Sequence, residues 1–158
     1  MKEKQEKTNA MRSLEQKKIN YQKHYYIDTN AISGMEVAEV LGQNPNRVFK
    51  TLVTIGHSNT NYVFLVPVCK ELDLKKAAKS VNEKSIAMIK SKDLLNLTGY
   101  IHGGCSPIGM KKFFKTVIDK SADEFETIIF SGGRIGFQIE ISLDELKKVI
   151  NFDLYDLC

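Results

Sequence analysis

The chain has 158 residues, which is enough for one hydrophobic core and too few for two domains of ordinary size. Hydrophobic residues make up 42% and charged residues 27%, as in globular proteins, and no apolar run approaches the roughly 20 residues that cross a bilayer. The charged N-terminus lacks the apolar stretch of a secretory signal, so we expect a cytoplasmic protein without a membrane partner. The net charge of +4 permits an anionic partner but does not identify one.

Cys69, Cys105 and Cys158 lie far apart in the sequence. They form neither the close pairs typical of zinc sites nor the even set of a disulfide framework, which predicts reduced thiols. No cluster of His, Asp and Glu has metal-ligand spacing, and the glycine-rich stretches match neither the P-loop nor the dinucleotide fingerprint. The sequence therefore predicts a protein without a metal or a cofactor.

The N-terminal residues 1–18 are polar and rich in Lys and Glu, which predicts a frayed helix or a tail in front of a single domain over residues 19–158. Aromatic and apolar residues from Ile19 to Ile27 predict a first strand. Ser33 and Glu36 then have the spacing of a capping box, which predicts a short helix ending near residue 42.

The middle of the chain predicts a hairpin followed by a helix. Residues 47–55 and 62–68 are rich in β-branched and aromatic side chains, and the residues between them are typical of turns. Asp73 is a candidate cap for the next helix, whose solvent side carries the basic residues Lys75, Lys76 and Lys79.

Further short elements follow in the second half. We predict a strand over residues 85–89, a helix over 91–97 ending at Gly99, and strands over 116–119 and 127–130. Apolar residues alternate from Ile135 to Ile141, which predicts the last strand, and Ser142 with Glu145 forms a capping box for a closing helix through residue 150. This irregular order predicts an α/β fold with a mixed, partly antiparallel sheet and helices packed around it.

Three segments contain residues that a purely structural role does not require, and these residues are candidates for a functional site. Lys50 shares one face of its predicted strand with Val48 and Leu52, so its ammonium group must reach an edge or find an anionic partner. The segment 103–109 contains three glycines, a serine and a proline, which suits either an ordinary tight loop or a set of backbone N–H groups turned toward a ligand.

The third segment, residues 131–134, is a two-glycine turn between strands. It holds Ser131 and Arg134 near each other, so the two side chains could share one substrate. Cys105 and His102 suggest a thiol nucleophile, although their spacing in sequence does not establish the orientation that activation needs.

Five motifs, in this order, resemble those of the YbaK/EbsC family of aminoacyl-tRNA deacylases. They are Val48-Phe49-Lys50-Thr51-Leu52, Leu72-Asp73-Leu74-Lys75-Lys76-Ala77-Ala78, Thr98-Gly99-Tyr100, Gly103-Gly104-Cys105-Ser106-Pro107-Ile108-Gly109 and Ser131-Gly132-Gly133. The resemblance runs from about Ile19 to Ile150. It implies an enzyme that deacylates Cys-tRNA(Pro), the product of prolyl-tRNA synthetase mistaking cysteine for proline.

The resemblance also implies roles for individual residues. The catalytic positions fall on Lys50, Gly103 and Ser131. Substrate-binding positions fall on Tyr26 (with Tyr25 as the alternative), Thr51, Gly104, Pro107, Gly132 and Arg134. In the mechanism that the family implies, the substrate's own thiol attacks its ester, backbone N–H groups near Gly103 and Gly104 hold the carbonyl oxygen, and Lys50 positions the terminal adenosine.

The expected partners are the acceptor end of tRNA(Pro) and prolyl-tRNA synthetase. Relatives that clear Ala-tRNA(Pro) instead make alanine the alternative amino acid. Two rival hypotheses remain: a non-catalytic module that binds tRNA or a synthetase, and a thiol hydrolase that uses Cys105. This sequence also departs from the family pattern at Ser33, Met110, Ile135 and Gln138, which leaves the size of the pocket open.

Overall fold

A computed structural model describes residues 6–158. The helices are α1 (Asn9–Gln16), α2 (Gly34–Val40), α3 (Leu74–Ser80), α4 (Leu94–Thr98) and α5 (Leu143–Leu146), with short 3₁₀ helices at Ser91–Asp93 and Lys120–Glu124. The strands are β1 (Gln22–Tyr25), β2 (Phe49–Gly56), β3 (Asn61–Pro67), β4 (Ile86–Met88), β5 (Lys115–Asp119), β6 (Ile128–Ser131), β7 (Phe137–Ile141) and β8 (Asp153–Tyr155). No helix among these residues is long and apolar enough to span a membrane.

The strands form two sheets, and the predicted α/β class with a mixed, partly antiparallel sheet is confirmed. The larger sheet has the order β4-β2-β3-β5-β8, in which the β2 pairs are antiparallel and the β5 pairs are parallel. The smaller sheet, β1-β7-β6, is antiparallel. A single parallel bridge from Val48 to Ile129 joins the sheets, and their facing sides enclose the main core.

The first helix is part of that core. Its apolar residues Ala10, Met11 and Leu14 are fully buried, since they fall on one face of the helix. Thr8 caps the helix by accepting the Met11 N–H, and its hydroxyl donates to the Gly132 carbonyl. Residues 9–16 are thus neither frayed nor a tail, while residues 1–5 of the predicted N-terminal segment lie outside the described residues.

Local capping signals locate the helices well. Ser33 and Glu36 form a reciprocal capping box at the start of α2, and Asp73 accepts the N–H groups of Lys75 and Lys76 at the start of α3. At α5, however, Ser142 caps the helix while the Glu145 carboxylate accepts the Asn20 N–H, so the second predicted box is only half formed.

The last part of the chain differs from the sequence prediction in three ways. The closing helix predicted to run through residue 150 ends at Leu146. Ile135 lies outside β7, because Gly133 and Gly136 adopt positive φ angles of 108° and 102° and extend the turn to residue 136. The short strand β8 then follows α5 and pairs with β5. Its three residues are too few for a recognisable alternation.

One edge of β2 has a gap that positions the functional site. On the side away from β3, the bridge to β6 ends at Val48 and the pairing with β4 begins at Thr54. Among the described residues, no strand pairs with residues 49–53 on that side. The chain therefore leaves an opening between the two sheets, next to Lys50 and Thr51.

Candidate functional site

A cavity of about 490 Å³ lies at the gap in β2. The consecutive residues 48–52 form one wall, and the segment before α2, the start of α4, the glycine loop and the ends of β6 and β7 form the others. Six residues represent these walls: Tyr26, Ser33, Leu94, Gly103, Ser131 and Gln138. Four of the positions singled out in the sequence, Lys50, Thr51, Gly103 and Ser131, thus come together from three separate parts of the chain.

Lys50 lies at the rim of this cavity, where its side chain is 29% exposed. Its Nζ is 3.8 Å from the Glu71 Oε2, and the Glu71 side chain is 95% exposed. The lysine therefore both reaches an edge and has an anionic neighbour. An ion pair this exposed is weak, so an anionic ligand can displace Glu71 at little cost.

Thr51 has a hydroxyl without a partner. Its Oγ1 is buried and has no hydrogen bond to any of the described residues. Thr54, three residues along the same strand, donates from its Oγ1 to the Tyr62 carbonyl at 3.0 Å. A buried hydroxyl normally finds such a partner, because leaving it unpaired costs about 1–3 kcal/mol. Thr51 therefore has an unused hydrogen-bonding group in a residue that lines the cavity.

The glycine loop contributes backbone N–H groups to the cavity, but not both of those that the sequence suggested. Gly104 donates its N–H to the Ile101 carbonyl at 3.0 Å and does not line the cavity. Gly103, with φ of 88°, and Cys105 do line it, and neither N–H has an acceptor among the described residues. The available pair of donors is thus Gly103 with Cys105.

Gly104 and Pro107 have a different place from the one predicted. Both are buried behind the loop and outside the cavity wall. A Cβ at Gly104 would come within 3.1 Å of the Arg134 Cα, so only glycine lets the loop approach the turn between β6 and β7 this closely. These two residues therefore shape the loop from outside the cavity wall.

The Cys105 thiol is poorly suited to act as a nucleophile. The side chain is 8% exposed, and burial raises the pKa of the thiol to about 12. His102 is exposed, and no hydrogen bond joins it to the thiol. A thiol that stays protonated near neutral pH attacks an ester slowly, which argues against the thiol-hydrolase hypothesis.

The turn between β6 and β7 separates the two residues that we expected to share a substrate. Ser131 lines the cavity, and its Oγ accepts the Gly133 N–H at 3.1 Å. Arg134 instead lies with its guanidinium 4.6 Å from the centre of the Phe137 ring and 3.2 Å from the Glu6 carboxylate. Arg134 packs on the Phe137 ring and does not line the cavity, and its ion pair with Glu6 is exposed and therefore weak. Gly132 also stays outside the cavity wall, with its N–H bonded to the Phe137 carbonyl.

The structure distinguishes between the two candidate tyrosines. Tyr26 is 5% exposed and lines the cavity. Tyr25 points to the other side of the small sheet, where its ring packs edge-on against Phe137 and its hydroxyl donates to the Glu6 carbonyl. Since neighbouring residues on a strand face opposite sides, only one of the two can line the cavity.

Sequence reasoning missed an amide pair at the floor of the site. Gln138 is 4% exposed, lines the cavity and exchanges two hydrogen bonds with Gln43, at 2.8 and 3.3 Å. Gln43 follows α2 and Gln138 lies on β7, so the pair ties the helix to the sheet. The only sequence signal for this contact was a buried strand in which the polar residues Gln138 and Glu140 alternate with apolar ones.

A buried charged cluster supports the small sheet beside the cavity. The Glu140 carboxylate accepts hydrogen bonds from Thr127 and Arg47 and lies 2.7 Å from the His24 ring nitrogen. Burial works to raise the pKa of Glu140, but the bonds from Thr127 and His24 and the charge of Arg47 hold that pKa below its ordinary value. The ionised carboxylate thus links β1, β7 and the segment leading into β2. Within residues 6–158, no group of His, Cys, Asp and Glu is arranged to hold a metal.

Comparison with known proteins gives three consistent matches. The family model described as aminoacyl-tRNA editing domain matches residues 29–149. The "Putative Cys-tRNA(Pro)/Cys-tRNA(Cys) deacylase EbsC" of Enterococcus faecalis is 45% identical over 148 residues, which is 93% of this chain and 90% of that protein. The proline–tRNA ligase of Fervidobacterium nodosum is 28% identical over 76% of this chain and 21% of that protein.

A solved structure shares the fold over nearly the whole chain. It is a crystal structure of a "putative trans-editing enzyme for prolyl tRNA synthetase", with a TM-score of 0.79 and 22% sequence identity. The match covers 95% of this chain and 97% of that one. At this identity the likeness establishes the arrangement of helices and strands.

Proposed function

This chain belongs to the family of aminoacyl-tRNA editing domains, and we propose that it removes cysteine from mischarged tRNA(Pro). The name of the 45% identical relative from Enterococcus faecalis supports cysteine as the amino acid. The match to a segment of a proline–tRNA ligase supports the link to proline editing. We further propose that the enzyme acts in the cytoplasm, on the acceptor end of the tRNA and together with prolyl-tRNA synthetase.

Such an activity is needed because the amino-acid pocket of a synthetase has limited selectivity. An apolar pocket distinguishes side chains that differ by one methylene by only about 1–3 kcal/mol. A synthetase that must accept proline therefore cannot fully exclude a residue as small as cysteine. A second site that accepts the cysteine ester and destroys it restores accuracy.

The observation that carries the proposal is a cavity with hydrogen-bonding groups but no activated nucleophile. Lys50, Thr51, Gly103 and Cys105 all line it, the Thr51 hydroxyl and the N–H groups of Gly103 and Cys105 have no partner among the described residues, and burial keeps the Cys105 thiol protonated. These groups can hold and polarise an ester. The nucleophile that attacks the ester then comes from the substrate.

In the proposed reaction, the cysteine thiol of the substrate attacks its own ester carbonyl. A carbon–sulfur bond forms and the carbon–oxygen bond to the ribose breaks, so cysteine leaves as a cyclic thiolactone and the thiol proton ends on the ribose oxygen. The N–H groups of Gly103 and Cys105 stabilise the carbonyl oxygen as negative charge develops on it. Holding the thiol near the carbonyl accelerates the reaction further, because the two reacting groups no longer have to find each other.

The other groups position the substrate. Lys50 replaces its weak partner Glu71 with a phosphate or ribose oxygen of the terminal adenosine. The Thr51 hydroxyl gains the partner that it lacks in the free protein. Ser131 orients the aminoacyl group from the opposite wall, and Tyr26 closes the apolar end of the cavity.

A substrate without a free thiol tests the proposed chemistry. We would charge tRNA(Pro) with cysteine and with S-methylcysteine and follow the loss of each ester. The wild-type protein should deacylate the first and leave the second at its spontaneous rate, because the methylated sulfur cannot close the ring. Equal rates would show that the protein supplies the nucleophile.

A pair of substitutions tests the role of Lys50. Lys50→Met keeps the length of the side chain and should lower kcat/KM by at least about thirtyfold through loss of the charged contact. Glu71→Gln removes only the competing carboxylate, so kcat/KM should stay the same or rise. Wild-type turnover by Lys50→Met would refute the assignment.

A further inference from the structure

The net positive charge of this chain is concentrated in a segment that contributes to the cavity wall. Residues 90–115 contain five lysines and one aspartate, a net charge of +4. The whole chain also has a net charge of +4, so the other 132 residues cancel to zero. The basic segment, as we name residues 90–115, includes both the start of α4 and the glycine loop, which line the cavity.

The lysines of the basic segment are available to a partner. Lys90, Lys92, Lys111, Lys112 and Lys115 are all exposed, and none forms an ion pair within residues 6–158. On α3, whose basic face the sequence pointed to first, Lys76 pairs with Asp156 at 3.1 Å, while Lys75 and Lys79 are exposed without an ion pair to the described residues; α3 contributes no residue to the cavity wall. Exposed, unpaired charge of one sign within one segment attracts an anion, and the regular anion on tRNA is its phosphate backbone.

An aromatic ring lies among these lysines. Phe113 is 69% exposed, the largest exposed fraction among the large apolar side chains of the described residues. An exposed ring flanked by cations is how proteins hold single-stranded nucleic acid, since bases stack on the ring while the cations follow the phosphates. A folded protein partner would need a wider apolar surface than one ring.

The segment is continuous from the cavity to Phe113. The Ile89 N–H bonds to the Val53 carbonyl beside the gap in β2, Lys90 follows directly, and Leu94 lines the cavity. Lys111 returns to this region, with its N–H bonded to the Thr98 carbonyl and its Nζ 3.4 Å from the Asn96 carbonyl.

At the far end Lys115 pairs with Tyr62, which in turn pairs with Thr54. Four residues along β2 and two strand spacings then separate Lys50 from Lys115, a distance of about 16 Å. A few nucleotides of single strand span that distance.

We propose that the basic segment, with Phe113 as a stacking platform, binds the single-stranded 3′ end of the tRNA and leads its terminal nucleotide into the cavity. This inference rests on the proposed function and names the RNA-binding surface for it. Arg134, the cation that the sequence suggested for a substrate contact, packs on the Phe137 ring outside the cavity wall, whereas the basic segment contributes residues to that wall.

Binding of uncharged tRNA(Pro) at several salt concentrations tests the proposal. Lys92→Ala with Lys112→Ala should weaken binding about tenfold and reduce the slope of log Kd against log salt by about 1.4, for two lost phosphate contacts on a single strand. The matched control is Lys17→Ala with Lys147→Ala, which removes the same charge from two exposed lysines that lie outside the basic segment and the cavity wall. It should change Kd by less than about twofold. Equal weakening by both double variants would overturn the proposal.

Phe113 provides a test that charge alone does not predict. Phe113→Ala and Phe113→Leu should both weaken binding by about tenfold, since neither side chain stacks on a base. Both effects should disappear with tRNA that lacks its single-stranded 3′ end. Unchanged affinity in both variants, or an equal loss with the truncated tRNA, would refute the stacking role.

A small substrate separates this inference from the proposed function. Adenosine esterified with cysteine fills the cavity but does not extend to Lys92, Lys112 or Phe113, which are not part of the cavity wall, so the lysine and Phe113 variants should cleave it at the wild-type rate. If wild-type protein cleaves it while the variants bind tRNA normally, the surface is wrong and the function stands. If wild-type protein cleaves neither this ester nor Cys-tRNA(Pro), the proposed function fails whatever the tRNA affinities are.

Discussion

Replacing Thr51 by Val should stabilise this protein and slow its reaction at the same time. The Thr51 Oγ1 is buried without a hydrogen-bond partner among the described residues, and valine has nearly the same shape without the hydroxyl. Removing an unpaired buried hydroxyl should raise the free energy of unfolding by about 1 kcal/mol. For a chain of this size that corresponds to an increase in Tm of about 2–4 °C.

The same substitution removes a contact that we assign to the substrate. Losing one neutral hydrogen bond should lower kcat/KM for Cys-tRNA(Pro) about fivefold, the equivalent of about 1 kcal/mol. Stability is measured as the denaturant midpoint at unchanged m value, and activity as the initial rate of ester loss. Most substitutions that lower activity also destabilise, so the opposite signs are diagnostic.

Thr54 provides the matched control on the same strand. Its fully buried hydroxyl donates to the Tyr62 carbonyl, so Thr54→Val should destabilise by about 1 kcal/mol and leave kcat/KM unchanged. If Thr51→Val destabilises the protein as Thr54→Val does, the Thr51 hydroxyl has a partner in the free protein. If Thr51→Val keeps full activity, the hydroxyl does not contact the substrate.

Three further substitutions have defined outcomes. Cys105→Ala should keep most of the deacylase activity while lowering the free energy of unfolding by about 1 kcal/mol, as for a small buried apolar group; loss of activity in a folded variant would favour a thiol nucleophile. Glu140→Gln should destabilise by about 2 kcal/mol at pH 7. Because the pKa of Glu140 is lowered in the folded protein, this difference in stability should be present above pH 4.5 and shrink as the pH falls below that value. Denaturant unfolding of both proteins between pH 3 and pH 7 measures the difference. A difference that stays constant with pH would contradict the assignment. Gly103→Ala places a side chain at φ of 88° and should cost about 1–2 kcal/mol in stability and lower kcat/KM, and an unaltered rate would show that the loop conformation is not needed.

Features set by neighbouring residues could be predicted from the sequence. The cap of α2 depends on Ser33 and Glu36 alone, and the end of α4 depends on Gly99, which adopts φ of 86°. The hairpin of β2 and β3 follows from two β-rich runs around a turn. These signals act over a few residues, so the tertiary structure does not override them.

Features that depend on distant contacts could not be predicted. The Arg134 side chain contacts Phe137 and Glu6, which determine where it points. The Gly104 N–H donates to the Ile101 carbonyl. Both contacts change which groups face the cavity. Family motifs placed the site correctly at the level of segments, whereas the individual donors at Gly103 and Cys105 needed the three-dimensional structure.

The position of the cavity depends on contacts between segments that are far apart in sequence. It exists because β2 changes partners, from β6 at Val48 to β4 at Thr54, and leaves its edge open in between. No pattern within residues 48–54 indicates this change, since strand pairing is decided by segments that lie far away in sequence. The same gap explains why Lys50 and Thr51 are accessible on a strand in the middle of the larger sheet.

The most direct measurement uses tRNA(Pro) charged separately with cysteine, alanine and proline. We predict that the protein removes cysteine far faster than the spontaneous rate and leaves the alanine and proline esters nearly intact, because only cysteine carries a thiol that can attack its own ester. Removal of alanine as fast as cysteine would contradict the proposed chemistry and favour an Ala-tRNA(Pro) deacylase. Loss of none of the three esters would favour a domain that binds tRNA without acting on it.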